Sequence, residues 1–140
     1  MDKHKQGRIN RRAGADFERR TRDYLERTGW FVGKFQNNVD LEKNVMIPAK
    51  ASRFRIQSTG FPDFFCWTEY PPNKKMFEIM GVECKVNGKL SKEEKEKCRF
   101  LLKKGIFSRI LVAKKIKEGR KVSIDFVDFE ERYNENKRKN

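Results

Sequence analysis

The sequence predicts an α/β protein: a central mixed β-sheet flanked by helices, in the order α-β-β-β-α-β-β. Three observations carry this. A helical stripe runs from about Ala13 to Thr28. Five apolar runs of strand length follow it. A helix start at Ser91 falls between the third and fourth of these runs, so helices and strands alternate instead of segregating. At 140 residues the chain suits one domain with a modest core.

Each element has its own signal. Residues 1–12 are polar and basic without apolar periodicity, and read as a flexible arm. From Ala13, Phe17, Thr21, Tyr24, Leu25 and Thr28 recur at three- and four-residue spacing, and Gly29 is placed to stop the helix. Trp30–Phe35 reads as a short strand. Residues 36–59, punctuated by Asn37-Asn38 and Pro48, read as a long basic loop of the kind that often binds. Gly60–Trp67 and Met76–Val86 are apolar strands joined by a turn rich in proline and asparagine. Ser91 followed by Glu94 is a capping-box pattern. Its helix has a stripe of the Lys95 stem, Cys98, Leu101 and Leu102, and stops at Gly105. Ile106–Ala113 and Val122–Phe129 read as two further strands. The expected organisation is an arm at 1–12, a single domain at 13–129 and a charged tail at 130–140.

The formal charge is +14, and about +9 of it lies on the body between arm and tail. A basic body of this kind points to a polyanionic partner, most often nucleic acid. Lys5, Arg8, Arg11 and Arg12 in the arm, with Lys50, Arg53 and Arg55 in the loop, are the candidate phosphate contacts. Phe54, between two arginines, either stacks on an exposed base or packs in the loop. Cys66, Cys84 and Cys98 are odd in number and lack metal-type spacing, which favours reduced thiols and an intracellular location. The single histidine, His4, argues against zinc. No apolar segment long enough for a signal peptide or a membrane span occurs.

The chemistry concentrates in Asp63 and in Glu83-Cys84-Lys85. On a strand, residues two apart share a face, so Glu83 and Lys85 project together while Cys84 turns towards a core. With Asp63 alongside, two carboxylates and an ammonium converge into a site for a hard divalent cation with a lysine to handle water. The plain alternative is a surface salt bridge worth about 0–1 kcal/mol.

Gly60-Phe61-Pro62-Asp63, a gap of twenty residues to Glu83, then Glu-Cys-Lys, together resemble the PD-(D/E)XK nuclease superfamily. Gly14-Ala15-Asp16-Phe17-Glu18-Arg19 with Gly29-Trp30-Phe31-Val32 looks like the start of archaeal Holliday junction resolvases, which also carry a basic N-terminal arm. Gly88-Lys89-Leu90-Ser91-Lys92-Glu93-Glu94-Lys95 is similar to the virus-type replication-repair (VRR-NUC) branch, where glutamine usually stands at the position of Glu94.

The resemblance implies a restriction-endonuclease-like core and a metal-dependent DNA endonuclease. Asp63, Glu83 and the Cys84 carbonyl would hold Mg²⁺ or Mn²⁺. Lys85 would orient water or stabilise charge, and Glu18 would support the site from the first helix; the plain alternative for Glu18 is a helical pair with Arg22. Glu94 reads chiefly as a helix cap. The acids are expected to be acid-shifted and weakly ordered without a cation. The expected protein is a homodimeric Holliday junction resolvase acting on branched DNA in the cytoplasm, at a nucleoid, or as a virus-encoded enzyme in its host. The alternatives are a nuclease for flap, single-stranded or duplex DNA, and a non-catalytic DNA-binding protein.

Overall fold

The computed structural model describes residues 2–49, 60–69 and 76–133. Helix α1 (Lys3–Arg27) leads into β1 (Phe31–Lys34) and then a hairpin of β2 (Asn37–Asp40) and β3 (Val45–Pro48). β4 (Phe64–Glu69), β5 (Phe77–Lys85), α2 (Lys92–Lys103), β6 (Arg109–Glu118), β7 (Lys121–Asp128) and α3 (Phe129–Tyr133) complete the chain. One sheet has the order β1-β4-β5-β6-β7. β5 and β6 run parallel, and the other neighbours run antiparallel. The architecture is therefore α/β with a mixed central sheet and helical flanks.

The two faces of the sheet bury separate cores, as period-two alternation requires. On one face Phe17 and Leu25 of α1 meet Val32, Phe64, Cys66, Met80, Val82 and Ala113. On the other, Cys98 and Leu101 of α2 and Phe129 of α3 meet Ile110 and Val112, with Val39 of the hairpin joining them. β6 serves both faces, with Ile110 and Val112 on the second and Ala113 on the first. Among the described residues, no helix is long and apolar enough to cross a membrane.

Four details differ from expectation. The element order is not α-β-β-β-α-β-β, because the β2–β3 hairpin and α3 are additional. The hairpin lies where a loop was expected. Its strands have four residues each and neither alternates: β2 is Asn-Asn-Val-Asp, with one apolar residue, and β3 is Val-Met-Ile-Pro, apolar throughout. Its turn is built by Asp40, whose carboxylate accepts from the N–H groups of Glu42 and Lys43, and by Asn44 in the left-handed region at φ 52°. Residues 3–12, read as part of a flexible arm, form the first turns of α1, capped by Asp2, whose carboxylate accepts from His4 N–H. Lysine, arginine and glutamine are good helix formers, and only the part of a helix that packs needs an apolar period. The charged tail likewise begins as helix: Phe129 is fully buried and Tyr133 packs beside it.

Strand β4 starts beneath a tight crossing. Pro62 is buried, and β4 lies inside the sheet between β1 and β5, so this proline marks a strand start and not an exposed edge. Gly81 of β5 makes room for it. A Cβ at Gly81 would stand 2.8 Å from Pro62 Cγ and 3.2 Å from the Phe107 ring. A Cβ at Gly60 would stand 1.8 Å from the Phe35 carbonyl oxygen. These two glycines let the segment 60–63 lie flat against its neighbours and set the height of Asp63.

Candidate active site

Asp63 and Glu83 come together because the strands bring them there. The last ladder pair at this end of β4 and β5 is Phe64 with Val82. One step further sets Asp63 opposite Glu83, and directly opposed residues of an antiparallel pair share a face. Each then holds the other's strand. The Glu83 Oε1 accepts from Asp63 N–H at 3.1 Å. The Asp63 Oδ2 accepts from Cys84 N–H at 2.8 Å.

Lys85 follows two residues after Glu83 on the same face. Its Nζ lies 3.4 Å from Glu83 Oε2 and also pairs with Glu94 Oε2. Glu94 sits in the first turn of α2, inside a complete capping box with Ser91. Its Oε1 accepts from Ser91 N–H at 2.9 Å, while Ser91 Oγ accepts from Glu94 N–H at 3.1 Å. One carboxylate therefore caps α2 and holds Lys85. The capping pattern is plain in the sequence. The second role is not, since it depends on where β5 ends relative to α2.

Cys84 turns away from these groups, as the alternation predicts. It packs with the α1-side core and contacts Thr21. Burial, with Asp63, Glu18 and Glu83 adding to it, pushes the Cys84 thiol well above its ordinary value. Burial also pushes Cys66 and Cys98 up to about 12, so both are neutral core residues. All three cysteines are free.

α1 brings Glu18 to the same rim from the opposite face of the sheet. Its pKa is raised, first by burial and then by the Asp63 charge, with Lys34 at the end of β1 acting against both. Arg22, the helical partner considered for Glu18, instead donates to Glu26 at 2.9 Å and to the Val32 carbonyl at 3.1 Å. Lys34 was not singled out in the sequence, because a lysine ending a short strand carries no motif.

The electrostatics follow from crowding. Glu83 is only 4% exposed. Burial, then the Asp63 charge and its hydrogen bond, raise its pKa well above the ordinary carboxyl value, and Lys85 offsets this only in part. Burial pulls Lys85 down, but its bonds to Glu94 and Glu83 more than reverse this and its pKa is raised, so it is an ammonium at neutral pH. Burial pushes Glu94 up, but Lys85 and the Ser91 N–H outweigh it and hold Glu94 low.

The donor set at this rim is all oxygen, which fits a hard cation such as Mg²⁺ or Mn²⁺. As the side chains stand, no group of three or more His, Cys, Asp or Glu among the described residues is arranged to hold a metal ion. The reason is visible: Asp63 is turned to the Cys84 N–H and Glu83 to the Asp63 N–H and Lys85.

Of the remaining candidates, Lys5, Arg8, Arg11 and Arg12 are exposed on the first three turns of α1. Lys50, Arg53, Phe54 and Arg55 lie outside the described residues. No family model, curated protein or solved structure matches the chain.

Proposed function

We propose that the protein is a metal-dependent DNA endonuclease with a restriction-endonuclease-like core, acting as a homodimeric Holliday junction resolvase. One observation carries the reading: a buried carboxylate, Glu83, faces a second carboxylate, Asp63, with the ammonium of Lys85 3.4 Å from the first. A surface salt bridge needs no second acid and no burial. A pure packing role does not explain a carboxyl whose pKa is raised by burial beside another acid.

In this reading Asp63, Glu83 and the Cys84 carbonyl hold Mg²⁺ or Mn²⁺, with Glu18 supporting them from α1. The cation would lower the pKa of a bound water and offset charge on the scissile phosphate. To hold it, Asp63 would have to release the Cys84 N–H, and Glu83 would have to be ionised against the burial and the Asp63 charge that raise its pKa. Lys85, kept charged by Glu94 and Glu83, orients the attacking water and stabilises negative charge developing on the phosphate. It does so as an ammonium and not as a base. The basic face of α1, with Lys50, Arg53 and Arg55, holds the flanking phosphates. Symmetric nicks on a four-way junction need two such sites, which C2 pairing supplies.

The test is competition between a four-way junction and a linear duplex of equal length, with Mg²⁺ or Mn²⁺ present. Preferential, symmetric cutting of the junction supports the resolvase. Equal cutting of both leaves a nuclease of another substrate class. No cutting of any branched or linear DNA leaves a DNA-binding protein with a structural acidic cluster.

A further inference from the structure

Helix α1 has two parts with different duties. Its C-terminal part buries Phe17, Thr21 and Leu25 and carries Glu18 to the rim of the sheet. Its first ten residues continue the same helix, and none of them is buried.

Residues three and four apart lie on one helix face. Arg8, Arg11, Ala15, Glu18 and Arg22 keep that spacing throughout. At 3.6 residues per turn, Arg11 falls about 20° and Arg8 about 80° from the azimuth of Glu18, while Lys5 and Arg12 lie roughly 120–140° away. Arg11 runs back along the helix over Gly7, with its guanidinium 3.9 Å from where a Gly7 Cβ would stand. Asp2, the cap, is the single acid before Asp16. Arg11 thus stands nearly in line with Glu18 and Arg8 about a quarter turn from it, and among the described residues neither guanidinium has an ion-pair partner.

Their spacing is fixed by the helix. A rise of 1.5 Å per residue sets Arg11 about 10 Å and Arg8 about 15 Å along the axis from Glu18. Along a DNA strand, at about 3.4 Å per nucleotide, this is roughly three to four nucleotides. A fixed spacing matters only against a stiff partner, and duplex DNA is stiff over about 50 nm.

We propose that the Arg8–Arg11 face of α1 is a rigid phosphate grip for duplex DNA, held at a set distance and azimuth from Glu18. It rests on the endonuclease reading for what the site then does, though not for the binding itself.

The test uses the full chain, a labelled linear duplex and chelator, so that binding is read without cleavage across a salt series. The double variant Arg8→Ala/Arg11→Ala should weaken binding about ten-fold or more and reduce the salt slope by about 2. Inserting two alanines between Arg12 and Ala13 turns the extension by about 200° and keeps every charge. It should produce a comparable loss. Inserting four alanines turns it by only about 40° but moves it by about 6 Å, so affinity and slope should recover in part, above the two-alanine variant and below wild type. Alanine preserves the helix, and thermal melts and circular dichroism check this. Wild-type affinity and slope in the two-alanine variant would overturn the proposal and leave the extension as a diffuse positive charge. Phase-dependent binding by a protein that cuts nothing would sink the endonuclease reading alone. Cutting with phase-independent binding would sink this one alone.

Discussion

Asp63 and Glu83 hold each other's strands. The Glu83 carboxylate accepts from the Asp63 N–H, and the Asp63 carboxylate accepts from the N–H that follows Glu83. The pair closes the rim of the sheet where β4 begins and β5 ends. Each of these bonds engages one carboxylate oxygen, Glu83 Oε1 and Asp63 Oδ2, on a group the proposed function would also turn to a cation. If the proposed function holds, the acids have a chemical use that competes with this structural one.

This competition separates activity from stability in single variants. Asp63→Asn and Glu83→Gln should each lower Mg²⁺-dependent DNA cleavage by roughly 10²–10³-fold while leaving DNA binding intact or tighter. Glu83→Gln keeps a carbonyl oxygen for the Asp63 N–H and removes a buried acid beside another. It should leave the ion-free protein unchanged or stabilise it by about 1 kcal/mol. Single-turnover cleavage and urea melts in chelator measure the two effects. A large loss of stability in Glu83→Gln would show that the charge is needed for folding and would count against the site reading.

Titration of the ion-free protein gives a second check, with a definite sign. Glu83 and Glu18 have raised pKa values in the folded state, so the native state binds more protons than the unfolded one. Their stabilising contribution is full below the ordinary glutamate value of 4.5 and is lost as pH rises through the folded values. Glu94, held low, acts oppositely: its contribution is lost as pH falls below 4.5. Melts in chelator should therefore show stability falling from mildly acidic pH towards neutrality, with a shallower fall in Glu83→Gln. Mg²⁺ should reverse the fall and bind more tightly as pH rises, since its binding displaces a proton. Stability that rises over that window in wild type would contradict this account.

The parts of the fold that were legible in the sequence are those whose packing leaves a period. Phe17, Thr21 and Leu25 at four-residue spacing marked α1, and Ser91 with Glu94 marked α2. The alternation around Glu83 separated Cys84 from Lys85. The hairpin was hidden because one residue, Val39, anchors β2 while Asn37, Asn38 and Asp40 read as turn formers. The helical start of α1 was hidden because none of residues 3–12 is buried, so packing leaves no apolar period there. Phe77, inside the apolar run Met76–Val86, is 54% exposed, since a strand end can project beyond the helices that cover its middle. Within the site, Asp63, Glu83 and Lys85 were visible as a motif. The second role of Glu94 and the nearness of Lys34 to Glu18 depend on tertiary distances that no local pattern encodes.

The glycine crossing beneath Asp63 gives a third prediction. Gly81→Ala puts a methyl 2.8 Å from Pro62 Cγ and 3.2 Å from Phe107, both buried and unable to swing away. It should destabilise by about 1–3 kcal/mol and lift Asp63 away from Glu83. Cleavage should then fall more than the stability loss explains at temperatures where the variant remains folded. Gly105→Ala is a useful contrast, because nothing lies within 4 Å of its Cβ although its φ of 70° strains any side chain. It should lose stability without losing activity per folded molecule. Denaturant melts paired with active-site titration distinguish the two.

Glu94 gives the last prediction, because its two roles divide between two substitutions. Glu94→Ala removes the reciprocal capping bond to Ser91 N–H and the partner of Lys85 together, and should cost about 1 kcal/mol or more. Glu94→Gln keeps an oxygen for the Ser91 N–H, so the helix start should survive with a change near 0.5 kcal/mol. What it loses is the negative charge that fixes Lys85. That ammonium would then pair with Glu83 alone, 3.4 Å away, and draw the buried carboxylate further from Asp63. Cleavage by Glu94→Gln should fall about ten-fold at saturating DNA with little change in KM, because a misplaced Lys85 weakens stabilisation in the transition state and not DNA binding. Apparent Mg²⁺ affinity should fall as well, since Glu83 becomes the sole counter-ion of Lys85. If Glu94→Gln and wild type cut and bind Mg²⁺ alike while Glu94→Ala merely unfolds sooner, Glu94 is a helix cap alone and Lys85 is positioned by the strand.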